Sequence, residues 1–154
     1  MKISFLSEYP HHVAEIAQWY FDEWADPSSS SIDSFVEYME EKAVSNLEIP
    51  LSFIAHVGGE LLGAVELKFR EHNKYPEYEH WLGSLYVDSK HRSAGVGAAL
   101  INRTKSHAVS LKLENLYLQC EHDLVSMYEK YGFKTLHKAK YGKFDTIIMD
   151  WDVS

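Results

Sequence analysis

The sequence predicts an α/β (α+β) domain: a mixed, mostly antiparallel sheet with helices on both faces. Three observations carry this. The first is the order of segments, β-αα-βββ-α-β-α-ββ, read from switches between period-2 and helical spacing of apolar residues. The second is Gly58-Gly59 between two β-rich runs, a signal for a tight antiparallel hairpin. The third is one strand–helix–strand run over residues 80–120, long enough for a right-handed crossover and therefore for one parallel strand pair. The 154 residues suit a single domain, 1–154, since domains usually hold about 100–200 residues.

Taken in order, residues 2–6 (KISFL) read as a short strand. From Pro10 to about Asp26, Val13, Ile16, Ala17, Tyr20, Phe21 and Trp24 form one face of an amphipathic helix. Pro27 and the four serines after it break that helix and offer N-caps to a second, over about 32–46, with Ile32, Phe35, Val36, Met39 and Ala43 inward. Strands over 51–57 and 60–69 flank the glycine pair. Residues 71–79 form a polar loop with interleaved aromatics, and 80–87 (HWLGSLYV) a third long strand. A helix over about 96–110, a strand over 115–120 and a short helix over 123–131, ended by Gly132, follow. Strands at about 133–138 and 144–151 close the chain.

Composition narrows the function. The apolar fraction is 45% and the charged fraction 25%, ordinary for a globular chain. No apolar run reaches the roughly 20 residues that span a bilayer, and the N-terminus lacks an apolar signal core, so no membrane role and a cytoplasmic home are expected. The single cysteine, Cys120, excludes an internal disulfide, and no histidine spacing such as H-E-x-x-H marks a metal site, so none is expected. Net charge is −8, which disfavours nucleic acid as a partner. Residues 1–79 hold 5 basic and 15 acidic residues, whereas 80–154 hold 10 and 8. That asymmetry suits an anionic ligand on the second half and a cationic one near the first, or simply an acidic solvated surface.

The most informative stretch is SLYVDSKHRSAGVGAALI, residues 84–101. A strand runs into Arg92-Ser93-Ala94-Gly95-Val96-Gly97, where a helix opens. The first N–H groups of such a helix have no intrahelical partner and carry the positive end of its dipole. Gly95 and Gly97 remove side chains that would hold an anion away, which suits a pyrophosphate cradle with charge added by Lys90 and Arg92, or simply an ordinary strand-to-helix connection that uses glycines for tight packing. A mononucleotide P-loop fails because no Lys follows Gly97, and a dinucleotide fingerprint fails because Leu100 stands at its third glycine.

R-x-x-G-x-G after Leu85-Tyr86-Val87 resembles the acyl-CoA signature of the GNAT superfamily of N-acyltransferases. Tyr128-Glu129-Lys130-Tyr131-Gly132-Phe133 resembles that family's second landmark. The resemblance implies acetyl-CoA as co-substrate, with its pantetheine arm along Leu85, Tyr86 and Val87. The pyrophosphate would lie on the amides of Arg92, Ser93, Ala94, Gly95, Val96, Gly97 and Ala98. It also implies that Tyr128 protonates the departing thiolate. Two departures stand out: Ser93 where glycine is frequent, and Glu121-His122-Asp123 without the asparagine many relatives have there.

The reaction so implied is acetyl transfer to a primary amine, expected to be a small cationic molecule. An acceptor ammonium, with a pKa near 10.4, must first lose a proton, so a base is expected. Some relatives place a glutamate on the 80–87 strand, but the matching inward position is Trp81. Glu79 is the first candidate, beside His80, with Glu66 and Glu71 behind. Trp24, Tyr75, Glu77 and Trp81 are expected to line the acceptor pocket, between the 71–81 loop and the first two helices. A protein or peptide N-acetyltransferase, a non-catalytic CoA-binding sensor and a homodimer stay open. Cys120 reads as a buried small hydrophobe rather than an acyl carrier, and His11-His12 as surface residues.

Overall fold

Gly58 and Gly59 both take left-handed φ, +54° and +83°. That is the backbone a two-residue hairpin turn requires, and it folds β2 (Leu51–Val57) onto β3 (Glu60–Phe69). The computed structural model describes residues 1–44 and 48–154. Around this hairpin lies one seven-stranded sheet in the order β1-β2-β3-β4-β5-β7-β6. Its other strands are β1 (Lys2–Phe5), β4 (His80–Val87), β5 (Asn115–Cys120), β6 (Lys134–Tyr141) and β7 (Phe144–Asp152). All pairings are antiparallel except β4 with β5.

Helices α1 (Val13–Trp24) and α2 (Ile32–Lys42) cover one face, while α3 (Val96–Ser110) and α4 (Val125–Glu129) cover the other. Ile16, Ala17 and Tyr20 of α1 and Met39 of α2 pack on Ile54, Leu61 and Ala64. Val96, Leu100, Ile101 and Ala108 of α3 join Phe53, Val65, Leu82, Leu118 and Tyr128 in the larger core. Ser31 caps α2, its Oγ accepting from the Ser34 amide at 3.2 Å, as the serine run predicts.

The boundaries differ from expectation where local signals are weakest. Leu6 leaves the first strand for a 3-10 turn, and Pro10–His12 form another ahead of α1. The 32–46 helix ends at Lys42, and its last two expected residues lie outside the described ones. The 123–131 helix shortens to α4 behind a 3-10 turn at His122–Leu124. The two closing strands extend further and meet at Gly142.

Two irregularities shape the site. Parallel β4 and β5 share one registered pair, Trp81 with Tyr117, and then diverge. In β4, Glu66 faces Gly83 and Ala64 faces Tyr86, so Val65 opposes two residues; the extra one, Ser84, has φ +51°. Such a bulge twists a strand away from its neighbour and re-aims its side chains.

Candidate active site

The loop after β4 passes through a 3-10 turn at Ser89–His91 and a left-handed Ser93 (φ +68°) before Gly95 caps α3 with φ +83°. Nothing lies within 4 Å of where a Gly95 Cβ would stand, and Gly97 would meet only Val87, at 3.8 Å. The first turn of α3 contains no acidic residue and no side chain caps it. Its leading amides are therefore free to bind an anion. Arg92 folds back: Nε donates to the Val87 carbonyl at 3.0 Å and the guanidinium stands over the Tyr86 ring.

Leu85 and Val87 side chains pack with the α3 core, on the side of Tyr128. Tyr86 points to the opposite face, against Trp19 and Trp24, with ring centroids 5.1 and 6.2 Å away. Tyr128 is 7% exposed. Burial first, then the nearby Cys120 and Glu71, raise its phenol well above the ordinary tyrosine range, so it stays protonated at neutral pH. Cys120 is buried 3.9 Å from Met149 Sδ, and burial, with Asp123 and Glu121, pushes its thiol up to about 11. A thiol so protonated is a poor nucleophile, and Cys120 serves as core.

The expected acceptor-lining residues divide into two groups. Trp24, 43% exposed at the end of α1, stands with Tyr20 and Tyr86. Tyr75 stacks on Tyr78, which stacks on Tyr117 at 4.4 Å. Trp81 is fully buried beneath them, its Nε1 donating to the Tyr78 carbonyl. It is thus a floor for the loop rather than a surface residue. Glu77 is exposed. The 71–79 loop is moored across the sheet: His72 Nε2 meets the Lys140 carbonyl at 2.7 Å, and Tyr78 Oη lies 3.1 Å from His137 Nε2. Glu79 is half exposed and paired with Arg70 at 3.4 Å.

Between the two groups lies a charged cluster on the α1/α2 face. Lys68 Nζ reaches Glu71 Oε1 at 3.1 Å and Ser84 Oγ at 3.4 Å. Gln119 Nε2 donates to Glu71 Oε2 at 2.8 Å. Glu66 is fully buried, and neither of its oxygens has a hydrogen-bond partner among the described residues. The ammonium groups of Lys68 and Lys42 lie near it, and its carboxylate favours the charged form of each, though burial still lowers Lys42. Burial opposes the Lys68 ammonium, but Glu66 and Glu71 override it and hold the group above the ordinary lysine range. Burial also raises the Tyr38 phenol, with Glu66 adding to it.

The sequence reading does not single out Lys68, Gln119 or Tyr38. The signal for Lys68 is present: Glu66 and Lys68 alternate within apolar VELKF, so two charges share one face of a buried strand. Gln119 and Tyr38 have no such local mark. His12, expected at the surface, is 6% exposed because the 3-10 turn at Pro10–His12 tucks it beside His56. Among the described residues no group of histidine, cysteine or carboxylate side chains is arranged to hold a metal. No described helix is long and apolar enough to cross a membrane.

A family model described as the acetyltransferase (GNAT) family matches residues 7–133. No curated protein matches the chain in sequence. Among solved structures, an aminoglycoside 6'-N-acetyltransferase complexed with coenzyme A superposes with a TM-score of 0.77 at 20% identity, covering 100% of this chain and 98% of that one. An N-acetyltransferase from Staphylococcus aureus Mu50 gives 0.74 at 18% identity, covering 99% and 98%. The ribosomal-protein-alanine N-acetyltransferase from Brucella melitensis gives 0.71 at 19% identity, covering 99% of each chain. At these identities the likeness is one of fold.

Proposed function

The chain belongs to the acetyltransferase (GNAT) family, and from that premise we propose that it moves an acetyl group from acetyl-CoA to a primary amine of a small cationic molecule. The observation that carries this is the bare turn at Gly95, capping α3 beside a strand pair that diverges after Trp81 and Tyr117. The diphosphate would bind the free amides from Arg92 to Ala98, and the pantetheine arm would follow the open edge of β4 along Leu85, Tyr86 and Val87. The thioester then lies in the splay, with Tyr128 across the core from the cradle helix.

The chemistry follows from these groups. The neutral amine attacks the thioester carbonyl, and the oxyanion needs a preorganised donor, for which the Leu85 amide is proposed. Tyr128, held protonated by burial, gives its proton to the departing sulfur. On the acceptor side, the carboxylates of Glu66 and Glu71, the Tyr38 and Trp24 rings and the acidic first half of the chain favour a cation. Trp24, Tyr75 and Glu77 are proposed to border it, with Trp81 as support.

Calorimetry with acetyl-CoA and CoA-thiol release against a panel of primary amines test this. Binding together with amine-dependent release is expected. Binding without release would indicate a sensor, and no binding would end the reading. A Gly95→Ala variant, strained at φ +83°, is expected to weaken acetyl-CoA binding.

A further inference from the structure

Two residues past the last registered pair of β4 and β5 stand Gly83 and Gln119, on the same face as Trp81 and Tyr117. This is the mouth of the splay. A Cβ built on Gly83 would lie 2.6 Å from Glu71 Oε1 and 2.8 Å from Lys68 Cδ. The Glu71 carboxylate therefore occupies the space that a side chain at position 83 would take. Gln119 holds its other oxygen from β5, so the group bridges the two strands where they part. Glu71 enters from the end of β3, and its neighbour His72 anchors the loop to β6.

We propose that Glu71 takes the proton from the acceptor ammonium, delivered across bare Gly83 in place of a carboxylate carried by β4 itself. This rests on the acyl-transfer reading above. Three features favour Glu71 over Lys68 and Glu79. Each of its oxygens accepts one hydrogen bond, from Lys68 and from Gln119, and keeps capacity for another. Lys68 is held in its protonated form and cannot accept. Glu79 is turned to Arg70 at the surface, whereas Glu71 is the carboxylate whose charge acts on Tyr128.

The step balances as follows. Glu71 takes one ammonium proton, and the freed lone pair forms the C–N bond at the thioester carbonyl. Collapse of the adduct breaks the C–S bond, and sulfur takes the Tyr128 proton. The second nitrogen proton returns through water to the tyrosinate, and Glu71 releases its own to solvent. Ammonium and thioester become amide, thiol and one proton.

The test compares the unaltered protein, Glu71→Gln, Glu79→Gln and Gly83→Ala by thiol release across pH. The acceptors are a primary alkyl amine from the panel and aniline, which is unprotonated at neutral pH. Glu71→Gln is expected to lose about 100-fold in kcat/KM on the alkyl amine, to recover as pH rises toward the amine's own pKa, and to stay near the unaltered rate on aniline. Its acetyl-CoA affinity should hold, and the retained aniline rate reports a folded site even where loss of the Lys68–Glu71 ion pair lowers Tm. Gly83→Ala, which displaces the carboxylate, should show the same pH shift, and Glu79→Gln should not. Equal loss on both amines, no loss, or the loss in Glu79→Gln instead would overturn the proposal. Absence of any amine-dependent release by the unaltered protein would overturn the acyl-transfer reading itself, and this with it.

Discussion

Gln119 on β5 donates to the carboxylate of Glu71, 48 residues earlier in the chain, at 2.8 Å. Thr146 Oγ1 in turn donates to Gln119 Oε1 at 3.1 Å, so the amide is fixed at both ends. This side chain thus ties the polar segment after β3 to the centre of the sheet. It also sets a negative charge near Tyr128, which that phenol feels as a rise in pKa.

Burial first, with that charge adding to it, raises the Tyr128 phenol further above the neutral range in which a tyrosine is already protonated, which suits the proton-donor role proposed for it. Tyr128→Phe keeps the ring that packs edge-on to Phe133 at 6.2 Å and loses only the hydroxyl. Turnover is expected to fall by about 100-fold, the scale of one general acid, while acetyl-CoA affinity by calorimetry stays within about twofold. An unchanged kcat would remove the acid role from Tyr128.

Gly63 lets α3 lie close on β3. A Cβ there would stand 2.8 Å from the Tyr86 carbonyl and 3.1 Å from both Leu100 and Val96. The first of these is backbone within a paired strand and cannot swing aside. Gly63→Ala is expected to cost about 1–3 kcal/mol, read as a lower midpoint in urea. A midpoint equal to the unaltered protein's would show that the strand pair can shift to make room.

Acid should weaken the fold through its histidines. Burial, first of all, holds His12, His56 and His107 below the ordinary value of 6.5. An unfolded chain takes up these protons near that value, and the native state only at lower pH. The stability this gives is present above about pH 6.5 and is lost as pH falls through the native values. Tm should therefore drop on acidification below 6.5, and His12→Gln with His56→Gln should flatten the slope. A double variant with the same slope would assign the effect to other groups.

Much of the fold was legible because its signals are local. The glycine pair marks the β2–β3 hairpin to the residue, and LYVDSKHRSAGVG marks the strand, the turn and the head of α3. Both rest on main-chain conformations that neighbouring residues select on their own. Tyr128 was legible as a motif residue, and its burial accords with the donor role proposed for it.

The sequence by itself determined the order of strands and helices and the bare turn at Gly95, since each rests on residues near one another in the chain, whereas a shared role for that turn and Tyr128 is implied by the family resemblance alone. Only the tertiary structure decided which carboxylate stands at the splay. Glu79 is adjacent to β4 in sequence yet turns to Arg70, whereas Glu71 crosses over Gly83 to meet Gln119. A missing side chain, a bulge at Ser84 and a strand brought in by a crossover helix fix that choice, and no spacing along the chain encodes the three together.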